Sequence, residues 1–354
     1  MSEASVREAL FYERLEGNRV RCRLCPNNCL LADGQRGVCL ARENRGGKLY
    51  TLVYGLVTAL AIDPIEKKPL FHFYPGAPIL SISTAGCNFK CPWCQNWHIS
   101  QRRPEDVFSD YMEPEQVVEL MKRYGVPFLA FTYNEPVIWF EYVLETAKLA
   151  RKEGFKSVLV TNGYINIEPL RELGPYIDAA NVDIKAFKPE TYLKYPKGKM
   201  EGVLEAVKEM KRLGWHIETT YLVVPGVNDD VEEFRSFVKW QIENLGPETP
   251  LHISRFFPNY RFLDRGPTPL ETLEKLWRVA KEEGLYYVYT GNIPGHKGEH
   301  TYCPSCGKLV IGRYGFEVYE YNLTDDNRCK FCGAQVHIVG RRWRVRSTSY
   351  HYFF

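Results

Sequence analysis

Blocks of apolar residues alternate with amphipathic segments along most of this chain. Between the apolar blocks, apolar residues recur at helical spacing, as at Val117, Val118 and Met121, and Gly125 is placed to end that helix. Alternating strands and helices at this interval predict a parallel sheet with crossover helices, so the predicted fold class is α/β with a partial (β/α)6-type barrel. The runs rich in β-branched and aromatic residues predict strands at residues 79–84, 128–133, 157–161, 180–184, 217–224, 251–254 and 286–289.

The pattern changes at both ends of the chain. Residues 9–15 are expected to be helical, and the runs at residues 49–53 and 57–61 are strand-like. The predicted parts are an N-terminal Cys-rich extension with four cysteines at residues 1–77, the partial barrel at residues 78–300 and a C-terminal zinc-ribbon-like domain at residues 301–354.

Composition narrows the class of protein. With 354 residues, 45% of them apolar and 25% charged, the chain can build one large core with small additions. The formal net charge of +3 is too small to require a nucleic-acid partner. No stretch approaches the run of about twenty apolar residues that spans a bilayer, and the first residues lack the pattern of a secretory signal. We therefore expect a cytoplasmic protein without a membrane partner.

The eleven cysteines divide into three groups without remainder. Disulfides are disfavoured in a reducing cytosol, where closely spaced cysteines are more typical of metal sites. Three separate thiolate sites are therefore predicted. The groups are Cys22, Cys25, Cys29 and Cys39; Cys87, Cys91 and Cys94; and Cys303, Cys306, Cys329 and Cys332.

The central group has the spacing Cys-x-x-x-Cys-x-x-Cys and directly follows a predicted strand. A [4Fe–4S] cluster in an electron-transfer site has one cysteine for each iron. Three cysteines therefore leave the fourth iron open for a substrate or cofactor. A thioredoxin-like redox pair at Cys91 and Cys94 is the alternative, and Cys87 in the same loop argues against it.

The two outer groups differ in how far their spacing defines the metal. The C-terminal pairs are typical of a zinc ribbon, in which four thiolates close a tetrahedral site, with a rubredoxin-like iron site as the alternative. The N-terminal group is compatible with structural zinc or with an auxiliary iron–sulfur cluster. Geometry rather than sequence decides the metal there, and structural zinc is slightly the favoured interpretation.

The loop with Cys87, Cys91 and Cys94, and with Trp93 before the last cysteine, resembles that of the radical S-adenosylmethionine superfamily. Within it, the whole chain is similar to the pyruvate formate-lyase-activating-enzyme-like proteins, including the radical component of the system found with AMMECR1 and Memo proteins (AmmeMemoRadiSam). The resemblance implies that S-adenosylmethionine binds the open iron of the cluster. It also implies reductive cleavage of that cofactor to a 5′-deoxyadenosyl radical, which abstracts hydrogen from a substrate.

The same resemblance assigns polar residues at successive strand ends to the cofactor. Asn134 and Glu135 stand where the family receives the methionine amino group. Tyr133 and Asn134 replace two glycines of the glycyl-radical activases, and Val160 replaces an aspartate, so activation of a glycyl-radical enzyme is the alternative rather than the main hypothesis. The predicted cofactor-binding residues are Trp93, Asn134, Glu135, Thr161, Asn162, Asp183 and Lys185.

The resemblance leaves the substrate open and favours a protein or peptide. A reductant such as ferredoxin or flavodoxin and AMMECR1-like and Memo-like partners are implied with it. Modification of tRNA or nucleotides is a second enzymatic alternative, and a non-catalytic iron–sulfur and zinc scaffold is a third. The residues that meet the substrate, or that equally serve packing, are Tyr221, His252, Arg255 and Tyr260.

Overall fold

The computed structural model describes residues 3–343 of the chain. The strands are β1 (Arg7–Glu8), β2 (Tyr12–Leu15), β3 (Arg19–Cys22), β4 (Leu30–Leu31), β5 (Arg42–Arg45), β6 (Lys48–Thr51), β7 (Leu56–Val57), β8 (Ala59–Pro64), β9 (Pro78–Ser83), β10 (Asp110–Tyr111), β11 (Phe128–Phe131), β12 (Lys156–Thr161), β13 (Ala179–Asp183), β14 (His216–Val223), β15 (Leu251–Arg255), β16 (Val288–Gly291), β17 (Thr301–Tyr302), β18 (Leu309–Tyr314) and β19 (Glu317–Tyr321). The α-helices are α1 (Trp97–Ser100), α2 (Pro114–Tyr124), α3 (Phe140–Lys152), α4 (Ile167–Leu173), α5 (Pro189–Lys194), α6 (Met200–Arg212), α7 (Val231–Leu245) and α8 (Leu270–Glu282).

The central sheet has eight strands in the order β16, β15, β14, β13, β12, β11, β9, β8. From β9 to β16 neighbouring strands run parallel, and β8 adds an antiparallel strand at the edge. The predicted α/β class with a mainly parallel sheet is thereby confirmed. Closure of the sheet into a partial barrel stays a prediction.

Helix α2 shows why the crossover segments are helical. The side chain of Glu113 accepts from the backbone of Gln116, whose own side chain accepts from the Glu113 backbone, so both exposed donors at the helix start are satisfied. Pro114 takes the first helical position, where no N–H is needed. The chain leaves the helix at Gly125 with φ 62°, in the left-handed conformation.

The predicted helix at residues 9–15 is wrong. Residues Tyr12–Leu15 form β2, which pairs antiparallel with β3. Phe11 has φ 57°, which interrupts any helix there. Gly17 and Asn18, with φ 68° and 56°, then turn the chain back as a hairpin. The predicted strands at residues 49–53 and 57–61 overlap with β6, β7 and β8.

The C-terminal segment forms a small antiparallel sheet, β17–β18–β19, with its own apolar cluster. Phe71, Tyr287 and Tyr289 join that cluster from the main body of the fold. The ribbon therefore packs near the amino ends of the sheet strands, away from the loops that follow their carboxyl ends. The predicted ribbon extends to residue 354, and residues 344–354 lie outside the described part of the chain.

Within residues 3–343, none of the helices is both long enough and apolar enough to cross a membrane.

Candidate functional site

The three central cysteines lie on the loop that follows β9. The backbone N–H of Phe89 lies 3.4 Å from the sulfur of Cys87, and the sulfur of Cys94 lies 3.1 Å from Oγ of Ser100. Burial raises the pKa of the Cys91 thiol to about 12 and also raises that of Cys87. Iron binding at these two thiols must therefore displace a proton, because the thiolate is the ligand.

Two asparagines join this cluster loop to the end of β12. Nδ2 of Asn162 donates to Oδ1 of Asn88 at 2.8 Å and lies 3.8 Å from the sulfur of Cys87. Asn88 in turn donates to the carbonyl oxygen of Tyr164 at 2.8 Å. Asn162 was predicted as a site residue and Asn88 was not. The signal for Asn88 was its position as a polar residue inside the cysteine motif.

Glu135 is a buried carboxylate with three donors from the protein. One oxygen accepts from the Val137 N–H at 3.0 Å and from the Thr161 hydroxyl at 2.7 Å, and the other accepts from the Asn162 N–H at 2.7 Å. Burial raises the pKa of Glu135 to about 7 although these donors favour the ionised form. The carboxylate therefore fixes the position of the Thr161–Asn162 turn.

Asn134 links the end of β11 to the start of the cluster loop. Its Oδ1 accepts from the Thr84 N–H at 3.2 Å, and its Nδ2 donates to the Gly86 carbonyl at 2.9 Å. The amide is thus engaged on both sides by backbone groups next to Cys87.

Asp183 and Lys185 form an ion pair at 3.0 Å beside the cluster loop. Residues two apart in an extended chain point to the same side, and β13 ends at Asp183, so the side chain of Lys185 just beyond the strand can meet that of Asp183. Burial disfavours the charged form of Lys185, yet Asp183 and Cys91 outweigh it and raise the pKa of the ammonium. The pair offers both charges that bind an amino-acid zwitterion.

Trp93 is buried on the other side of the cluster loop. Its ring lies 5.8 Å from that of Tyr195 and 5.6 Å from that of Phe262, measured between centroids. The contacts show packing, and the predicted contact with the cofactor stays a prediction.

The four residues proposed to meet the substrate separate in the structure. Tyr221 is buried, and its hydroxyl donates to the carbonyl oxygen of Asn228 at 3.0 Å. His252 is buried near the start of β15 and lies 2.6 Å from a carboxylate oxygen of Glu218. These two residues therefore serve packing and buried polar contacts. Arg255 and Tyr260 lie at the carboxyl end of β15 or just beyond it.

Tyr260 belongs to a stack that we call the mouth stack, formed by Arg102, Trp97, Tyr260 and Arg261. The rings of Trp97 and Tyr260 are stacked 5.3 Å apart at 13°. Arg102 lies 5.4 Å from the Trp97 ring, and Arg261 lies 5.0 Å from the Tyr260 ring. The Arg261 N–H also donates to the Pro92 carbonyl in the cluster loop at 2.9 Å. Among the described residues neither arginine has a carboxylate partner.

The four cysteines of the ribbon converge on one point. The sulfurs of Cys303 and Cys332 lie 3.6 Å apart, and those of Cys306 and Cys329 lie 3.7 Å apart. Four thiolates at about 2.3 Å from a single tetrahedral ion lie about 3.8 Å from one another. The donor set and its spacing therefore fit one metal ion held by four sulfurs, and zinc at this site stays a prediction.

The N-terminal cysteines surround the end of β3 and the loops around β4. Cys22 and Cys25 are buried, and Cys29 and Cys39 are partly buried. A hydrogen bond of 3.0 Å from the Cys22 N–H to the Cys29 carbonyl closes the first loop. The Cys39 end of this group lies against Gly86 at the start of the cluster loop, and binding of a metal by the four cysteines stays a prediction.

Comparison with known proteins gives the family. A model of the Radical SAM superfamily matches residues 81–238. An uncharacterized protein of Methanocaldococcus jannaschii is 49% identical over 335 residues, which cover 94% of this chain and 100% of the relative. A putative glycyl-radical enzyme activating enzyme of the same organism is 26% identical over 253 residues, 65% of this chain and 92% of the relative. A probable GTP 3′,8-cyclase of Pyrococcus horikoshii is 25% identical over 249 residues, 66% of this chain and 74% of the relative.

These matches agree with the placement of the cysteine loop at the carboxyl end of a strand in a mainly parallel sheet. The family model spans the cluster loop and the strand ends that carry Glu135, Asn162 and Asp183. The family implies a [4Fe–4S] cluster and S-adenosylmethionine as cofactors. The chain belongs to the radical SAM superfamily.

Proposed function

We propose that this protein is an enzyme that abstracts hydrogen from a substrate at the site around the cluster loop. S-adenosylmethionine on a reduced [4Fe–4S] cluster supplies a 5′-deoxyadenosyl radical for such a reaction. Cys87, Cys91 and Cys94 would hold three irons and leave the fourth to the cofactor. The observation that carries the proposal is the meeting of this loop with the Glu135–Asn162 contacts and the Asp183–Lys185 pair.

The remaining polar residues have two kinds of role in this proposal. Asp183 and Lys185 are placed to bind the charged groups of the methionine moiety, because both charges lie beside Cys91. Glu135 acts as a positioning residue, since both of its oxygens are engaged by protein donors. It holds Thr161 and Asn162, which face the cluster loop.

The proposed substrate is a protein or peptide, and the electron donor is a small reductant such as ferredoxin or flavodoxin. AMMECR1-like and Memo-like proteins stay predicted partners. Activation of a glycyl-radical enzyme has support from the M. jannaschii activase-like relative. The replacement of two glycines by Tyr133 and Asn134 makes it the weaker alternative.

A nucleotide-type substrate is the second candidate, and the mouth stack favours it. Stacked aromatic rings bind bases, and arginines bind phosphate. Arg102 and Arg261 are exposed cations on either side of two stacked rings next to the cluster loop. The similarity to a probable GTP 3′,8-cyclase points the same way.

The sheet around this site is also part of the proposal. We expect it to curve as a partial barrel, since the proposed site residues all lie at the carboxyl ends of its strands. The boundaries near residues 77 and 300 stay predictions.

Release of 5′-deoxyadenosine tests the proposed function. The protein is reconstituted anaerobically with iron and sulfide, reduced with dithionite and supplied with S-adenosylmethionine. We expect 5′-deoxyadenosine from the wild type and none from Cys91→Ala. Asp183→Asn should weaken binding of S-adenosylmethionine about tenfold or more, because it removes a charge partner.

Asp325→Asn is the matched control, since Asp325 is an exposed carboxylate in the ribbon. Its affinity for S-adenosylmethionine should equal that of the wild type. An intact cluster that never yields 5′-deoxyadenosine would instead support the non-catalytic scaffold.

A further inference from the structure

The distances between sulfur atoms differ among the three cysteine groups. A single zinc ion binds all four sulfurs itself, which forces them to lie about 3.8 Å apart. In a [4Fe–4S] cluster each cysteine binds a different iron, so the sulfurs must lie farther apart. Sulfur spacing therefore distinguishes a site shaped for one ion from a site shaped for a cluster.

The ribbon meets the requirement for one ion, and the N-terminal group does not. Among residues 3–343, the four ribbon cysteines are the one set of three or more potential ligands whose donor atoms all lie within 4.8 Å of one another. All four N-terminal cysteines belong to these described residues, and no three of their sulfurs meet the 4.8 Å limit. The three sulfurs of the cluster loop, which we also call the radical SAM loop, do not meet this limit either. The N-terminal group thus resembles the radical SAM loop, and not the ribbon, in lacking the close spacing that one ion requires.

Although their sulfurs are widely spaced, the four N-terminal cysteines lie close to one another. A Cβ atom built on Gly37 would lie 3.7 Å from the sulfur of Cys29 and 3.7 Å from that of Cys39. Cys22 and Cys25 are buried, and the Cys22 N–H donates to the Cys29 carbonyl at 3.0 Å. The four side chains therefore share one pocket that is wider than a single ion requires.

The surroundings of these sulfurs suit an anionic centre. Backbone N–H groups lie close to three of the four thiols: Asn27 beside Cys25, Val38 beside Cys29 and Ala41 beside Cys39. The buried guanidinium of Arg42 lies near Cys22 and Cys39 and is held by an ion pair with Glu141. Hydrogen bonds to sulfur and nearby positive charge stabilise iron–sulfur clusters and set their potentials.

The pocket adjoins the radical SAM loop. The Cys39 carbonyl lies 2.5 Å from where a Gly86 Cβ would be, so the two backbones are in contact next to Cys87. Nδ2 of Asn27 donates to the Asn88 carbonyl at 3.1 Å. Lys90, in the radical SAM loop, lies within electrostatic range of both Cys39 and Cys87.

We propose that Cys22, Cys25, Cys29 and Cys39 bind an iron–sulfur cluster, distinct from the cluster on the radical SAM loop, and not zinc. The inference rests on sulfur spacing and contacts, and it stands whether or not the proposed reaction is correct. The protein then carries two iron–sulfur clusters in adjoining loops and one four-sulfur metal site in the ribbon.

Metal and sulfide content of two variants tests this proposal. The first variant replaces the radical SAM ligands, as Cys87→Ala, Cys91→Ala and Cys94→Ala. The second replaces two N-terminal ligands, as Cys25→Ala and Cys29→Ala. Iron, acid-labile sulfide and zinc per chain are measured after anaerobic reconstitution, together with Mössbauer spectra.

We expect about eight irons in the wild type if both clusters are [4Fe–4S]. The first variant should keep about four irons, or about two if the N-terminal cluster is [2Fe–2S], with matching sulfide. The second variant should lose that same amount and keep the cluster that cleaves S-adenosylmethionine. Zinc in the ribbon should stay at about one per chain in both variants, which reports that each is folded.

Absence of iron from the first variant, with about two zinc ions per chain, would overturn the proposal. A single iron without sulfide would do so as well. If the first variant does not fold, the second decides, because iron equal to the wild type would contradict a cluster at the N-terminal site. Failure of the proposed function is separate, since it appears as missing 5′-deoxyadenosine in a protein with normal iron content.

Discussion

At the scale of single residues, Glu135 shows how a buried carboxylate can organise a site through its hydrogen bonds to the protein. Its two oxygens join the start of the segment after β11 to the turn after β12. An amide has one acceptor oxygen and cannot satisfy all three donors. This position therefore requires a side chain that carries two acceptor oxygens and a negative charge.

Replacing Glu135 by glutamine should lower the rate of 5′-deoxyadenosine release. The loss of one charge-assisted hydrogen bond is worth about 1.5 kcal/mol, which corresponds to about tenfold. Measurement of 5′-deoxyadenosine under reducing conditions checks it. The control Glu168→Gln changes an exposed carboxylate on α4 and should leave the rate unchanged. Equal rates for the two variants would remove Glu135 from the site.

Gly86 gives a second prediction at this scale. It has φ 103°, and an added Cβ would lie 2.5 Å from the Cys39 carbonyl oxygen, which belongs to the backbone and cannot rotate away. Gly86→Ala should therefore cost about 2 kcal/mol of unfolding free energy and reduce iron bound by the cluster loop. Denaturant unfolding and iron content measure the two effects.

Gly125→Ala is the control for Gly86→Ala, because Gly125 also has positive φ but has open space around its Cβ position. It should cost about 1 kcal/mol through backbone strain alone and leave the iron content intact. A Gly86 variant no worse than this control would show that the contact with Cys39 is unimportant.

Residue patterns predicted the part of the site that is local in the chain. Cys87, Cys91 and Cys94 are recognisable because their spacing itself defines the ligand set. Tyr221 and His252 could not be assigned from position on a strand, since Tyr221 stacks on Phe237 of α7 and His252 contacts Glu218 on the neighbouring strand β14. Contacts across the sheet have no signature in a linear pattern.

At the scale of elements, the buried strands of the sheet were predictable because both of their faces are covered. Such strands are continuous apolar runs, as in Phe128–Phe131. The sequence of β2 predicts a helix instead of a strand because Tyr12–Leu15 mixes apolar and charged residues on a half-exposed surface. There the turn residues Gly17 and Asn18 determine the structure, and the apolar pattern does not.

His72 joins two elements, the ribbon and the amino ends of the strands. Its Nδ1 donates to the His337 carbonyl at 2.7 Å, and its Nε2 accepts from the Tyr289 hydroxyl. Both ring nitrogens are thus used by a neutral imidazole. Burial lowers the pKa of His72 to about 3.

The depressed pKa predicts that stability falls as the pH falls through the unfolded value of about 6.5. The unfolded chain then gains a proton on His72 that the folded chain does not bind. Between about pH 8 and about pH 5.5 the loss should be about 1.4 kcal/mol. In His72→Gln, the free energy of unfolding lost between the two pH values should be smaller than in the wild type by about 1.4 kcal/mol. Denaturant unfolding at both pH values measures it.

The exposed His98 provides the control, because His98→Gln should keep the pH dependence of the wild type. An unchanged pH dependence in His72→Gln would mean that His72 becomes protonated in the folded protein.

At the scale of the whole molecule, the ribbon and the cluster loop lie at opposite ends of the strands. The apolar cluster of the ribbon includes Val310, Ile311 and Val336 and is separate from the main core. The ribbon should therefore lose its structure without unfolding the sheet when its metal is removed.

Cys306→Ser tests this separation. We expect loss of the ribbon metal and faster hydrogen exchange in residues 301–338, with protection of residues 128–161 retained. Ser305→Ala is the neighbouring control, since Ser305 is exposed and contributes no sulfur. Faster exchange throughout the sheet in Cys306→Ser would show that the two cores unfold as one unit.

The mouth stack gives the molecule an optical signal of its own. An indole that is half exposed and lies a few residues from Cys94 changes its emission when its neighbours are displaced or when an iron chromophore fills the adjacent loop. Because the chain has seven tryptophans, the difference in fluorescence between the wild type and Trp97→Phe can follow loading of the site in real time, before any product has formed.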